Sequence, residues 1–145
     1  MFKLRHVGIT VTDMQRSLKL YRDYFGFDIV WDAIEQGDFI DSLSGKNNIK
    51  VNTVKMIDTS GGMIELLCYD SHPQSNIDNI KNDITKIGCS HLALTVTDIH
   101  QAHQDLEEMG LTFICTPQLS DNATAKVCFC RDYDGTLIEL VEVAW

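Results

Sequence analysis

Positive charge is scarce in this chain. Twelve Lys and Arg stand against 21 Asp and Glu, a net charge of −9. No basic patch can offset that on a phosphate backbone, so nucleic acid is excluded as a partner, and an anionic membrane surface is disfavoured on the same ground. Long apolar runs are missing too: none approaches the ~20 residues that span a bilayer. The opening MFKLRHVGIT has too short an apolar run for a secretory signal and shows no small-residue cleavage pattern. The five cysteines are odd in number and lack CxxC spacing. That pattern predicts free thiols in a reducing cytoplasm and argues against a disulfide framework. There are two prolines and no low-complexity stretch. The 145 residues suffice for one substantial core or for two small fused modules.

What is present is a repeat. HVGITVTDM at 6–14 returns as HLALTVTDI at 91–99. After the first copy, Met14, Leu18, Tyr21 and Phe25 fall at helical spacing, with Gly26 as a stop. After the second, Ile99, Ala102, Leu106 and Met109 do the same, with Gly110 as a stop. Asp13 and Asp98 precede the two helices, where a short carboxylate accepts the free amides of a first turn. Each half closes on a similar strand, MIELLCY (63–69) and LIELVEV (137–143). The turns DTSGG (58–62) and RDYDG (131–135) come just before. The pattern predicts strands near 3–11, 29–34, 38–43, 50–57 and 62–69, then 89–97, 111–116, 125–131 and 136–143. It implies an α+β fold of two βαβββ modules, 1–70 and 88–145, in a single domain 1–145. The polar segment 71–87 is the expected linker.

Strand alternation then sorts the side chains. His6, Gly8 and Thr10 share one face, opposite Val7, Ile9 and Val11. His91, Ala93 and Thr95 share another, opposite Leu92, Leu94 and Val96. The apolar faces suit the helices. The histidine faces carry small residues and leave room for something other than packing. Glu65 and Glu139 sit among apolar neighbours in the closing strands, where a lone buried carboxylate needs a partner or a metal. A single strand histidine or glutamate is ordinarily unremarkable chemistry, a surface or satisfied core group. Here both halves place His on the first strand and Glu on the last. The symmetry points to a divalent transition metal held by His6, Glu65, His91 and Glu139.

These stretches, HVGITVTDM…MIELL and HLALTVTDI…DYDGTLIEL, resemble the vicinal oxygen chelate superfamily. It includes glyoxalase I, methylmalonyl-CoA epimerase, extradiol dioxygenases and the bleomycin and fosfomycin resistance proteins. The resemblance covers essentially the whole chain. It implies paired βαβββ modules forming an open, cupped mixed sheet around one divalent metal per site: Ni, Co, Zn, Mn or Fe. It also implies a homodimer, with each cup built within one chain or between two. The implied activity is a metal-dependent lyase or isomerase acting through an enediolate-like intermediate, with Glu139 or Glu65 as the catalytic base. The usual Asp-Pro-Asp-Gly turn is Asp132-Tyr133-Asp134-Gly135 here. Thr10 and Tyr69 stand where bacterial glyoxalase I commonly carries its glutathione-gripping Arg and Asn. An epimerase-like acidic base on an early strand would fall to Asp38 or Asp41. Asp41 and Tyr69 are thus candidate substrate contacts. The resemblance leaves two alternatives, an iron-dependent extradiol-type dioxygenase and a non-catalytic small-molecule or antibiotic-binding protein.

Other residues read as ordinary structure. Cys128 and Cys130 are small buried hydrophobes, His100 and His103 lie on the solvated side of the second helix, and His72 is in a loop. Arg16, Lys19 and Arg22 form a solvated face, and Trp145 packs against the core or an interface.

Overall fold

The computed structural model describes residues 1–73 and 83–143. Most of the expected linker, and Trp145, lie outside the described residues. The chain divides into two compact units, Met1–Ser75 and Asn76–Trp145.

In the first unit four strands form one sheet: β1 (Val7–Thr10), β2 (Asp28–Gln36), β3 (Lys50–Ile57) and β4 (Met63–Tyr69). Their order is β1-β4-β3-β2. β1 runs parallel to β4 and the other pairs are antiparallel. Ile9 and Val11 are buried while Gly8 and Thr10 are exposed, which is the alternation the sequence implied. Helix α1 (Met14–Leu18) starts where Asp13 accepts the Arg16 amide at 3.0 Å. It buries Met14, Ser17 and Leu18. Residues Lys19–Tyr24 continue it as a wider, π-helical turn, seen in the Phe25 amide reaching back five residues to the Leu20 carbonyl. Leu20 and Tyr21 are both buried in this turn.

The strand expected at 38–43 is a helix instead, α2 (Asp38–Ser44). Gly37 breaks the extended run at φ 103 and Gly45 ends the helix in the left-handed region at φ 67, both conformations that favour glycine. Asp38 and Asp41 lie in the first turn, where negative charge suits the free amides. The extended chain on either side pairs with itself: β2 and β3 are paired from Asp28↔Ile57 to Gln36↔Lys50, with a one-residue bulge at Val30, so no ladder position is left for a fifth strand between them. α2 buries Ile40 in a cluster with Ile49 and Val51, against which Leu67 and Tyr69 pack.

The second unit repeats the plan with β5 (Leu92–Thr95), α3 (Ile99–Glu108), β6 (Thr112–Phe113), β7 (Gln118–Leu119), β8 (Ala125–Arg131) and β9 (Leu137–Val143). The sheet order is β5-β9-β8-β6, with β7 also on β8 and β5 parallel to β9. The strand expected at 111–116 is shorter. It pairs with β8 only at Thr112 and Phe113, bends, and resumes after Pro117. Asp98 caps α3 by accepting the His100 and Gln101 amides. Glu142 accepts a third amide, from Ile99, at 2.8 Å and is itself held by Lys126 at 2.9 Å. The buried Asp132 accepts the amides of Asp134 and Thr136 and so closes the turn before β9.

Both sheets are open and mixed, and each keeps its apolar side for its helix. Ile64 and Leu66 are buried in β4, Ile138 and Leu140 in β9. At ~1.5–3 kcal/mol for each such side chain, this burial is what fixes strand register. Register in turn decides which residues share the opposite face.

Candidate active site

Across the first sheet one row reads Trp31, Lys55, Glu65, Gly8, from β2 through β3 and β4 to β1. His6 lies one residue before β1 and turns its imidazole over this row. Its Nε2 stands 3.1 Å from Glu65 Oε2. Gly8 leaves the space over the carboxylate open. A Cβ there would lie 3.4 Å from Leu67 Cδ1 and 4.0 Å from Glu65 Oε2, so any longer side chain would crowd the carboxylate. The Glu65 side chain is 14% exposed and that of His6 is 26%. His6 Nδ1 is buried and meets no hydrogen-bond partner among the described residues.

The second sheet has the twin row. Ile114 bonds its amide to Phe129, and Phe129, Glu139 and Ala93 follow across β8, β9 and β5. His91 precedes β5 as His6 precedes β1, and its Nε2 stands 3.2 Å from Glu139 Oε2. The ring meets Phe129 edge-on at 5.3 Å. Its Nδ1 lies 2.7 Å from the Ser90 hydroxyl. A hydroxyl serves either tautomer, donating to a bare Nδ1 or accepting from Nδ1–H. His91 can therefore hand its Nε2 lone pair to a metal without losing its outer hydrogen bond.

With the proton on Nε2 each contact is a His–Glu hydrogen bond. With Nε2 bare, the same two atoms suit one cation. Neighbouring ligands ~2.1 Å from a first-row metal stand about 3.0–3.4 Å apart, and both pairs lie in that interval. Each unit thus supplies one imidazole and one carboxylate, a donor set suited to Ni, Co, Zn, Mn or Fe. Among the described residues, no group of three or more His, Cys, Asp or Glu is gathered as a metal cluster. Two donors per unit is what the structure brings together.

The other candidate residues fall elsewhere. Both Asp41 oxygens accept backbone amides, Oδ2 from Asn48 and Oδ1 from Ile49, each at 2.8 Å. Asp41 therefore holds the loop after α2. Asp38 is exposed at the start of that helix. Tyr69 packs against the cluster under α2. Thr10 is exposed on the His6 side of β1. Cys128 and Cys130 are buried on the side of β8 opposite Phe129, in register with Leu140 and Ile138. Burial pushes their thiols up to about 11 and about 12. His100 is exposed, but His103 is half-buried: its ring lies 4.0 Å from that of Phe113 and Nδ1 is 3.3 Å from Glu107. Sequence reasoning missed Lys55. Its ammonium stands 3.6 Å from Glu65 Oε1 and 6.0 Å from the Trp31 ring centroid. Only strand register reveals it.

The fold and the paired His–Glu rows define a class, and comparison with known proteins agrees. Residues 3–140 match the family model described as the glyoxalase/bleomycin resistance protein/dioxygenase superfamily, and the chain belongs to that family. The chain is 32% identical to a lactoylglutathione lyase of Schizosaccharomyces pombe, over 97% of this chain and 47% of that protein. It is 30% identical to a mitochondrial methylmalonyl-CoA epimerase of Dictyostelium discoideum, over 97% of this chain and 78% of that protein. It spans about half the length of the lactoylglutathione lyase and of the yeast glyoxalase I it also matches. Among solved structures, a glyoxalase family protein from Bacillus cereus superposes with a TM-score of 0.89 at 20% identity, covering 100% of this chain and 96% of that one. No helix among the described residues is long and apolar enough to cross a membrane.

Proposed function

We propose that this protein is a metal-dependent lyase or isomerase of the glyoxalase I or methylmalonyl-CoA epimerase type, working as a cytoplasmic homodimer on a small molecule with two neighbouring oxygens. The observation that carries the reading is the twinned His–Glu contact, 3.1 Å in one unit and 3.2 Å in the other. Each stands beside a residue too small to fill the space. His6, Glu65, His91 and Glu139 together form the proposed ligand set, one imidazole and one carboxylate from each unit. A divalent cation, when bound there, supplies Lewis-acid polarisation of the substrate oxygens.

The remaining chemistry belongs to the chain. The carbon-bound proton next to the substrate carbonyl goes to a carboxylate oxygen of Glu139 or Glu65, and the same group returns it to the neighbouring carbon on the same face; inversion at one carbon instead takes its proton from the other glutamate, in its carboxylic acid form, on the opposite face. Ser90 keeps the His91 ring oriented, and Gly8 and Ala93 leave room for substrate over the two carboxylates. The relatives named lactoylglutathione lyase and methylmalonyl-CoA epimerase support this type of reaction. Thr10 and Tyr69, at the positions of the usual glutathione-gripping residues, argue for a substrate other than the glutathione adduct.

The test is proton exchange. Metal-loaded protein is incubated in D2O with methylmalonyl-CoA or with a glutathione hemithioacetal, and deuterium uptake at the acidic carbon is followed by NMR. Uptake that Glu65→Gln or Glu139→Gln reduces about 100-fold or more supports the reading. Oxygen consumption with catechols by iron-loaded protein, without exchange, would replace it with ring-cleaving dioxygenase chemistry. Ligand binding unaffected by His6→Ala with His91→Ala would replace it with a binding protein.

A further inference from the structure

The two halves repeat each other closely around the glutamates, yet they differ at one position of the row. Facing Glu65 across the β3–β4 ladder is Lys55; facing Glu139 across β8–β9 is Phe129. The repeated scaffold therefore does not require a cation there, since the second unit folds the same way with a phenyl ring. A lysine in a central strand, with its side chain 27% exposed, loses hydration and chain entropy that a hydrophobe would not. What it receives in return is modest. The Glu65 contact, at 3.6 Å, is longer than a hydrogen bond, and the Trp31 ring is 6.0 Å away. The ammonium keeps donors to spare, on the same sheet face as His6 and Glu65.

We infer that Lys55 is the anion-recognising residue of the site, and that the substrate carries a carboxylate or comparable anionic group placed next to its paired oxygens. The inference rests on the proposed metal-dependent reading and deepens it. The ammonium lies against Glu65, 3.6 Å from Oε1. With a divalent cation on the two imidazoles and two carboxylates, the charges of that set cancel and Lys55 leaves one positive charge over. That charge suits one anionic oxygen of the substrate. The protein as a whole carries −9 and repels anions at a distance, so a local cation is the means by which an acidic metabolite is held. Trp31 ends the row on the far side of Lys55, with its ring centroid 6.0 Å from the ammonium.

The experiment compares wild type, Lys55→Met and Lys55→Arg after loading with Ni(II). Metal content is measured first. Binding of oxalate, an anion with two adjacent oxygens, and of butane-2,3-dione, its neutral counterpart, is then followed by calorimetry. Lys55→Met is expected to weaken oxalate at least tenfold, to leave the diketone within about threefold, and to keep full metal content. Lys55→Arg is expected to restore most of the oxalate affinity. Equal oxalate binding in wild type and Lys55→Met, with metal present in both, overturns the anion role and leaves the metal reading standing. Parallel loss of oxalate, diketone and metal in Lys55→Met, not rescued by arginine, makes Lys55 a structural partner of Glu65 and likewise overturns it. Wild type that takes up no metal removes the metal reading itself, and this inference with it.

Discussion

Asp41 separates a structural role from a functional one more sharply than any other candidate residue. The resemblance to the epimerases offered it as a substrate contact. Its carboxylate is instead occupied on both oxygens, by the amides of Asn48 and Ile49 at 2.8 Å each. Those amides start the chain down into β3, and Ile49 is 2% exposed in the cluster that α2 covers. A hydrogen bond to a charged acceptor is worth about 1.5–3 kcal/mol. Asp41 is half-buried and its neighbours partly reach water, so the lower end applies. Asp41→Ala should therefore cost about 2–3 kcal/mol, and Asp41→Asn, which keeps one acceptor oxygen, about half of that. For a chain of this length a loss of 1 kcal/mol lowers Tm by roughly 2–4 °C, so the alanine variant should melt about 4–12 °C below wild type by calorimetry. Urea denaturation should give the same ranking, with the slope unchanged. A Tm within 1 °C of wild type for Asp41→Ala would refute the loop-holding role and return the carboxylate to the list of substrate contacts.

Three further outcomes follow from the same geometry. Cys89 and Cys115 are exposed while Cys128 and Cys130 are buried with raised thiol pKa values. At pH 8 a thiol reagent should modify the exposed pair within minutes and the buried pair at least about 100-fold more slowly, since the thiolate is the reacting form; equal rates for all four would contradict their burial. The Ser60 hydroxyl, then the amides of Gly62 and Ser60, hold the Asp58 carboxyl below its ordinary value. A carboxyl lowered in the folded state stabilises above its unfolded pKa, and that contribution disappears as pH falls through the folded value. Stability should thus decline below about pH 4, and Asp58→Asn should flatten that decline; an unchanged acid profile in the variant would show that the turn contributes nothing. Ser90→Ala removes the partner of His91 Nδ1, and Ni(II) affinity by calorimetry should fall roughly tenfold; an unaltered affinity would mean that the hydroxyl does not orient the ring.

Much of this was legible in the sequence because it depends on alternation and end signals, which are local. Ile9 and Val11 point one way and Gly8 and Thr10 the other because consecutive strand residues must. Asp13 and Asp98 cap their helices because carboxylates at that position meet free amides. The helix at 38–44 was not legible. Phe39, Ile40 and Leu43 do fall at helical spacing, but over little more than one turn, and only Ile40 is buried, so the short apolar run reads equally as a strand and the glycines that delimit it look like ordinary turns. The π-helical turn after α1 was hidden because nothing in KLYRDY departs from ordinary helical spacing; the wider turn shows only in its backbone hydrogen bonds. His103 was assigned to the solvated side because nothing in its own helix predicts Phe113 beneath it. Lys55 was invisible because its meaning lies in the residue across the ladder. That partner is fixed by a register running from Val51↔Tyr69 to Ile57↔Met63, which no single strand encodes.

The most direct measurement is metal content per chain. Protein purified without chelator is loaded with Ni(II), desalted and analysed by inductively coupled plasma mass spectrometry, alongside Glu65→Gln, Glu139→Gln and the His6→Ala, His91→Ala double variant. One tightly held ion per ligand set of His6, Glu65, His91 and Glu139, weakened by either glutamine and absent from the double variant, is the expected result. Full occupancy in the double variant, or none in the wild type, would contradict a metal bound by these four side chains.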